Sequence, residues 1–73
     1  MYLQIADDVQ HRIETGEITL RLPGERDMAQ EYQAAIMTVR RALRELRERS
    51  MIETLPARGS FVASALAALR SES

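Results

Sequence analysis

The stretch Met37–Ser50, MTVRRALRELRERS, carries five arginines and two glutamates around Val39, Ala42, Leu43 and Leu46. Those four apolar residues recur at i, i+3, i+4 and i+7, the period of one face of an α-helix. At 100° per residue they gather on one side, while Met37, Arg40, Arg41 and Arg44 spread over the other. Two accounts of the arginine row compete. Arg41–Glu45, Arg44–Glu48 and Glu45–Arg49 are i,i+4 pairs, each of which supports a solvated helix by about 0.2–0.5 kcal/mol with no ligand present. Arg47 and Arg49 fit that account, because cations near a helix C-terminus offset its dipole. Arg40 has no acid four residues on and is the cleaner candidate for an external contact. On composition alone the two accounts stand level.

Length and composition bound what the stretch can belong to. A chain of 73 residues, 45% of them hydrophobic, makes one domain with a small core. There is no cysteine, so neither a disulfide scaffold nor a Cys-ligated zinc site can staple it, and burial must hold it together. His11 lies off the apolar stripe of its helix with no second His or Cys to share a metal, and reads as a surface histidine. No apolar run approaches the ~18 residues of a membrane span, and MYLQIADDVQ lacks the basic and apolar regions of a signal peptide. The chain is therefore expected to be soluble and cytoplasmic, with no membrane partner.

The net charge of −1 conceals a polarised chain. Between Met1 and Leu20, Asp7, Asp8, Glu14 and Glu17 face Arg12 alone. Between Ile36 and Ser60, Arg40, Arg41, Arg44, Arg47, Arg49 and Arg58 face only Glu45, Glu48 and Glu53. Binding to phosphates depends on local positive potential, so the distribution matters more than the sum. Every basic residue is arginine, which GC-rich coding explains as well as bidentate contacts do, and it carries no functional weight.

Around the arginine stretch the elements follow in order. Tyr2, Ile5, Ala6, Val9 and Ile13 predict a helix from about Tyr2 to Thr15, stopped by Gly16. ITLRLPG predicts a short extended segment around Arg21 and Leu22. Gly24 as N-cap, with Glu25 and Asp27 in the first turn, starts a short helix whose apolar edge is Met28, Ala29 and Tyr32. QAA interrupts the period before the third helix begins. IETL and SFVA flank PARG as a hairpin, and SALAALRSES extends as a helix capped at Ser64 with a frayed polar end. This order gives a mainly α fold with a small β-hairpin: a winged helix-turn-helix of three helices plus a wing, whose third helix is the element that enters the major groove.

The runs YLQIADDVQHRIETGEI, LPGERDMAQEY and TVRRALRELRERSMIETLPARGSFV resemble, in order and spacing, the N-terminal DNA-binding domain of the GntR family of bacterial transcription regulators, over roughly Tyr2 to Val62. The resemblance tips the balance toward the contact account. It implies a sequence-specific regulator, most often a repressor, of double-stranded DNA in the bacterial nucleoid. The recognition helix, about 36–50, would lie in the major groove and the wing, 56–60, in the minor groove. It further implies a homodimer on a palindromic operator and a small-molecule effector bound by a separate C-terminal domain. About ten residues follow the wing, so the expected division is a DNA-binding domain over 1–63 and a tail or linker over 64–73 toward an absent effector domain. The isolated domain is expected to be monomeric, with no cofactor and no metal.

Matched position by position, the resemblance assigns Arg26 to hold the DNA from the start of the second helix. It assigns Thr38 and Arg40, with Arg41 and Arg44 beside them, to the recognition helix, and Arg58, Gly59 and Ser60 of ARGS to the wing tip. The chemistry suits each role: guanidinium forks fit phosphates or the O6/N7 edge of guanine, and a threonine hydroxyl near a helix start can donate to phosphate. Gly59 permits close approach of the backbone, and also serves as an ordinary turn glycine. Where the family has Gly, an apolar residue, Ser or Thr, and often Arg, this chain has Gln33, Ala34, Ala35 and Ile36. Ala35 cannot cap the third helix, a loss of about 1 kcal/mol. Ile36 and Met37 cannot donate to bases, so readout there shifts to apolar contacts such as a thymine methyl; alternatively they pack on the second helix or the domain edge. The linker before LP is about two residues shorter than usual and lacks a Pro-Gly turn. The competing function is a winged-helix protein-interaction or dimerisation module, suited by the acidic first helix. An enzyme is not expected, since no activated nucleophile or phosphate-cradling loop is visible.

Overall fold

The computed structural model describes residues 1–71. They form helices α1 (Tyr2–Glu14), α2 (Glu25–Glu31) and α3 (Ile36–Glu48), strands β1 (Ile52–Leu55) and β2 (Gly59–Val62), and helix α4 (Ala63–Ser71). The apolar periodicity is the reason the first three pack as they do. Ile5, Ala6 and Val9 of α1, Met28 of α2, and Val39, Ala42, Leu43 and Leu46 of α3 are all buried in one cluster with Ile18, Leu22, Ile52 and Val62. Burying a Val, Leu, Ile or Met side chain contributes about 1.5–3 kcal/mol, so these stripes hold the domain without a staple. Helix α3 is the central element, packed on α1, α2 and β1.

Helix α1 ends at Glu14 with Thr15 as its C-cap, one residue short of the expected bound. Gly16 follows at φ 84°, a left-handed conformation that stops the helix at little cost in glycine. Its N–H donates to the Ile13 carbonyl at 3.2 Å, and Ile18 N–H donates to that of Arg12 at 3.1 Å, which turns the chain back to bury Ile18. The extended segment around Arg21 is present and is tied into the wing. Leu22 N–H donates to the Ser60 carbonyl at 2.9 Å and Val62 N–H to the Leu20 carbonyl at 2.7 Å, so Arg21 stands opposite Phe61 beside the hairpin.

Gly24 is the N-cap of α2, with Glu25 and Asp27 in the first turn. The turn to α3 is tight because Gln33 adopts φ 50°, and Ala34 N–H donates to the Ala29 carbonyl at 2.9 Å. Ala35 then takes the extended N-cap conformation of α3 with no side-chain capping bond. In the hairpin, antiparallel pairing runs from Ile52↔Val62 to Leu55↔Gly59, so the turn itself is Pro56, Ala57 and Arg58. Gly59 and Ser60 belong to β2 rather than to the tip. The last helix begins at Ala63, so Ser64 lies within its first turn instead of capping it. Leu66 is buried, and Ala65 packs on the core. The polar end expected to fray includes Glu72 and Ser73, which lie outside the described residues. The result is a winged helix-turn-helix, mainly helical, with a two-stranded antiparallel wing and a fourth helix packed on it.

Candidate nucleic-acid interface

The arginines divide by what their side chains touch. Arg12, on the side of α1 toward α2, is a structural clasp: Nη1 donates to Glu31 Oε2 and to the Tyr32 hydroxyl, both at 3.0 Å, and Nε donates to Glu17. The bond it donates to Tyr32, more than the one to Glu17, holds the Arg12 guanidinium above its ordinary value. Tyr32 in turn donates to Asp8. Burial, followed by that bond to Asp8, pushes the phenol up to about 12. Arg49 forms the second clasp. It donates to Glu45 at 2.9 Å, Asp7 at 2.8 Å and Gln10 at 2.9 Å, joining the end of α3 to α1. Its charged form is favoured first by Glu45 and then by Asp7. Of the acids on which an acidic docking face would depend, Asp7, Asp8 and Glu17 are thus engaged by other parts of the domain, while among the described residues Glu14 accepts only from Gln10 of its own helix at 3.3 Å.

The expected row of i,i+4 pairs on α3 is only partly formed. Glu45–Arg49 is present, but Arg41 turns away from Glu45 to lie 4.2 Å over the Tyr2 ring, a cation–π contact. No Arg44–Glu48 pair forms among the described residues. Arg47 does more than offset the helix dipole: Nη1 donates to Thr54 Oγ1 at 2.9 Å, and Thr54 Oγ1 lies 3.0 Å from Ser60 Oγ, linking α3 to the wing. Arg40, without an acid in its own helix, has one in the next: its Nε donates to Glu25 Oε2 at 2.6 Å.

What remains is a set of exposed cations with no ionic partner among the described residues: Arg26 at the start of α2, Arg41 and Arg44 on α3, Arg58 at the tip of the wing, and Arg21 beside it. Met37, Thr38, Arg40, Arg41 and Arg44 line one open cleft of about 720 Å³ with Met1 and Tyr2. Met37 is 68% exposed, and the Thr38 hydroxyl makes no hydrogen bond among the described residues. Ile36 is half-buried, and Ala35 is exposed at the helix start. Gly59 has φ 110°, so the glycine is needed for its backbone; a Cβ there would lie 3.3 Å from Nε of the exposed Arg21, which a small shift of that side chain relieves. The sequence reading missed Tyr2, Arg21 and Glu25 as members of this surface. Only Arg21 left a trace, as the polar residue between Leu20 and Leu22 in an alternating run.

The arrangement fits a polyanion with base edges to read: exposed guanidinium forks, an unbonded hydroxyl, an exposed thioether and an arginine-tipped wing. Comparison with known proteins agrees. The chain is 36% identical over 64 residues to the HTH-type transcriptional repressor NagR of Bacillus subtilis, covering 85% of this chain and 26% of that protein. It is 34% identical over 64 residues to the HTH-type transcriptional regulator SmoD of Agrobacterium fabrum, covering 85% and 27%. The chain thus spans about a quarter of the length of these relatives. The crystal structure of the AraR DNA-binding domain in complex with operator ORX1 superposes with a TM-score of 0.81 at 25% identity, covering 85% of this chain and 77% of that one. The model of the bacterial regulatory proteins of the gntR family matches residues 1–62, and this chain belongs to that family.

Proposed function

We propose that this chain is the DNA-reading part of a sequence-specific transcription regulator, a repressor, acting in the bacterial cytoplasm at the nucleoid. The observation that carries the reading is the set of exposed arginines left without ionic partners among the described residues, Arg21, Arg26, Arg41, Arg44 and Arg58, while Asp7 and Asp8 of α1 are engaged by Arg49 and Tyr32. In this reading α3 enters the major groove by its N-terminal half. Arg40 contacts a guanine edge, Met37 and Ile36 meet thymine methyls, and Thr38, Arg26, Arg41 and Arg44 hold phosphates. Ala35 brings the backbone at the start of α3 close to the DNA. Arg58, with Gly59 and Ser60 behind it, enters the minor groove. Dimerisation on a palindromic operator and control by a small-molecule effector belong to the same proposal, the effector being taken up by a separate domain rather than by residues 1–73.

The deciding experiment is selection of duplexes from a random DNA pool, followed by titration of a selected duplex and a scrambled one across 50–200 mM salt. Enrichment of a defined sequence, with affinity falling steeply as salt rises, is the expected result. A pool that stays random, with no affinity for duplex DNA even at the lowest salt, would instead leave the domain as a protein-interaction module.

A further inference from the structure

A carboxylate beside a DNA-reading arginine opposes approach to a polyanion, yet Glu25 occupies that position. Its Oε2 accepts from Arg40 Nε at 2.6 Å, and Arg40 Nη1 lies 3.8 Å from Met37 Sδ, so the guanidinium is held from two sides. The Arg40 and Glu25 side chains are 58% and 42% exposed. Pairs this exposed contribute little to stability, so stability does not account for the arrangement. Geometry does. The guanidinium is a rigid planar fork, and with Nε on the carboxylate and one Nη1 hydrogen directed at the thioether, the other Nη hydrogens stay available to pair with O6 and N7 of guanine. The holding residue sits on α2, which packs against α3, so the direction of the fork is referred to the domain rather than to one flexible side chain. Fewer rotamers are then lost when a base is met.

We infer that Glu25 is a positioning residue for base recognition: through its bond to Arg40 it raises discrimination between sequences while lowering affinity for DNA in general. This rests on the reading of Arg40 as a base contact.

The test compares wild type, Glu25→Gln, Arg40→Ala and the double variant on two probes, the duplex selected by the wild-type protein and a scrambled duplex of the same composition. Melting temperatures confirm that each variant is folded. Glu25→Gln should weaken binding to the selected duplex by about 3- to 10-fold, the size of coupling found between side chains in one hydrogen-bonded network. On the scrambled duplex at low salt it should bind equally or more tightly, because a negative charge has gone. In the Arg40→Ala background the loss on the selected duplex should vanish. If Glu25→Gln tightens both duplexes alike, the carboxylate only withholds Arg40 and the inference is wrong. A change of base preference that persists without Arg40 would also overturn it, since Glu25 would then be reading a base itself, as an acceptor for cytosine N4. If the wild type cannot tell selected from scrambled DNA, the proposed function fails as well. A wild type that discriminates while Glu25→Gln matches it defeats this inference alone.

Discussion

Arg58 is exposed in the three-residue turn of the wing; its backbone N–H donates to the Leu55 carbonyl at 3.0 Å, and its guanidinium has no hydrogen-bond or ion-pair partner among the described residues. Nothing in the fold depends on its guanidinium, so Arg58→Ala should leave the melting temperature nearly unchanged while weakening DNA binding. The loss should be larger on duplexes with A·T pairs under the wing, where a narrow minor groove concentrates negative potential. Normal binding at both low and moderate salt would remove the wing from the interface. Arg49 is the opposite case. With Glu45, Asp7 and Gln10 as partners it joins α3 to α1, so Arg49→Ala should lower the melting temperature while the folded protein keeps its DNA affinity. A fall in affinity with no change in melting would place Arg49 on the DNA instead. Tyr32 gives a pH dependence. Its phenol is raised from 10.0 to about 12, chiefly by burial, so the folded state favours the protonated form. The resulting stabilisation is complete below the unfolded value and is lost as pH rises from about 10 through about 12. The melting temperature of the wild type should therefore fall more steeply over that window than that of Tyr32→Phe. Parallel curves would show that the phenol titrates alike in both states.

At the scale of elements, the start of α3 is the weak joint. Ala35 holds the extended N-cap conformation and offers no side-chain acceptor, so the Thr38 N–H turns to the Ala35 carbonyl at 3.0 Å and the start of the recognition helix has no side-chain cap. Ala35 is exposed, so a hydroxyl there has no burial cost. Ala35→Ser should add about 1 kcal/mol, roughly 4–8 °C in melting temperature for a domain of this size. An unchanged melting curve would mean that the turn cannot bring the hydroxyl to the helix. The periodicity of α1 and α3 was legible because each apolar stripe is long and uninterrupted. The turn between α2 and α3 was legible as a break but not in its form. Gln33, Ser50 and Ala57 all have positive φ, at 50°, 61° and 62°, and none is the glycine that announces such a conformation in a sequence.

For the whole molecule the question is whether the domain associates by itself. A stable interface of ordinary size buries about 800 Å² on each partner, a large share of a total surface of 4961 Å². The large exposed apolar residues, Met1, Leu3, Leu20, Met37 and Leu69, are distributed over α1, the segment after it, α3 and α4 rather than borne by one element. Sedimentation at micromolar concentration should therefore give a species near 8.3 kDa. A stable dimer would contradict this, and Leu69 on the outside of α4 is the first residue to replace in that event. DNA binding by the monomer should be weak, because a single domain of this size supplies few phosphate contacts.

The linear order of residues determined three helices, a wing and the face of α3 that meets solvent, because each follows from periodicity, caps and turn residues that act within a few positions. It also put forward Arg26, Thr38, Arg40 and Arg58 as DNA contacts, through the resemblance to a known domain. Only the tertiary structure decided what each arginine does. Arg12 reaches Glu31, Arg40 reaches Glu25, Arg47 reaches the wing and Arg49 reaches Asp7, and each partner lies on a different element. An arginine side chain is long enough to span neighbouring elements, so its partner is chosen by packing rather than by spacing in the chain. The same holds for Arg21, brought beside Gly59 only when the extended segment pairs with β2. Apolar patterning is a local property repeated along a helix; charge pairing across a small domain depends on which surfaces the buried stripes bring together.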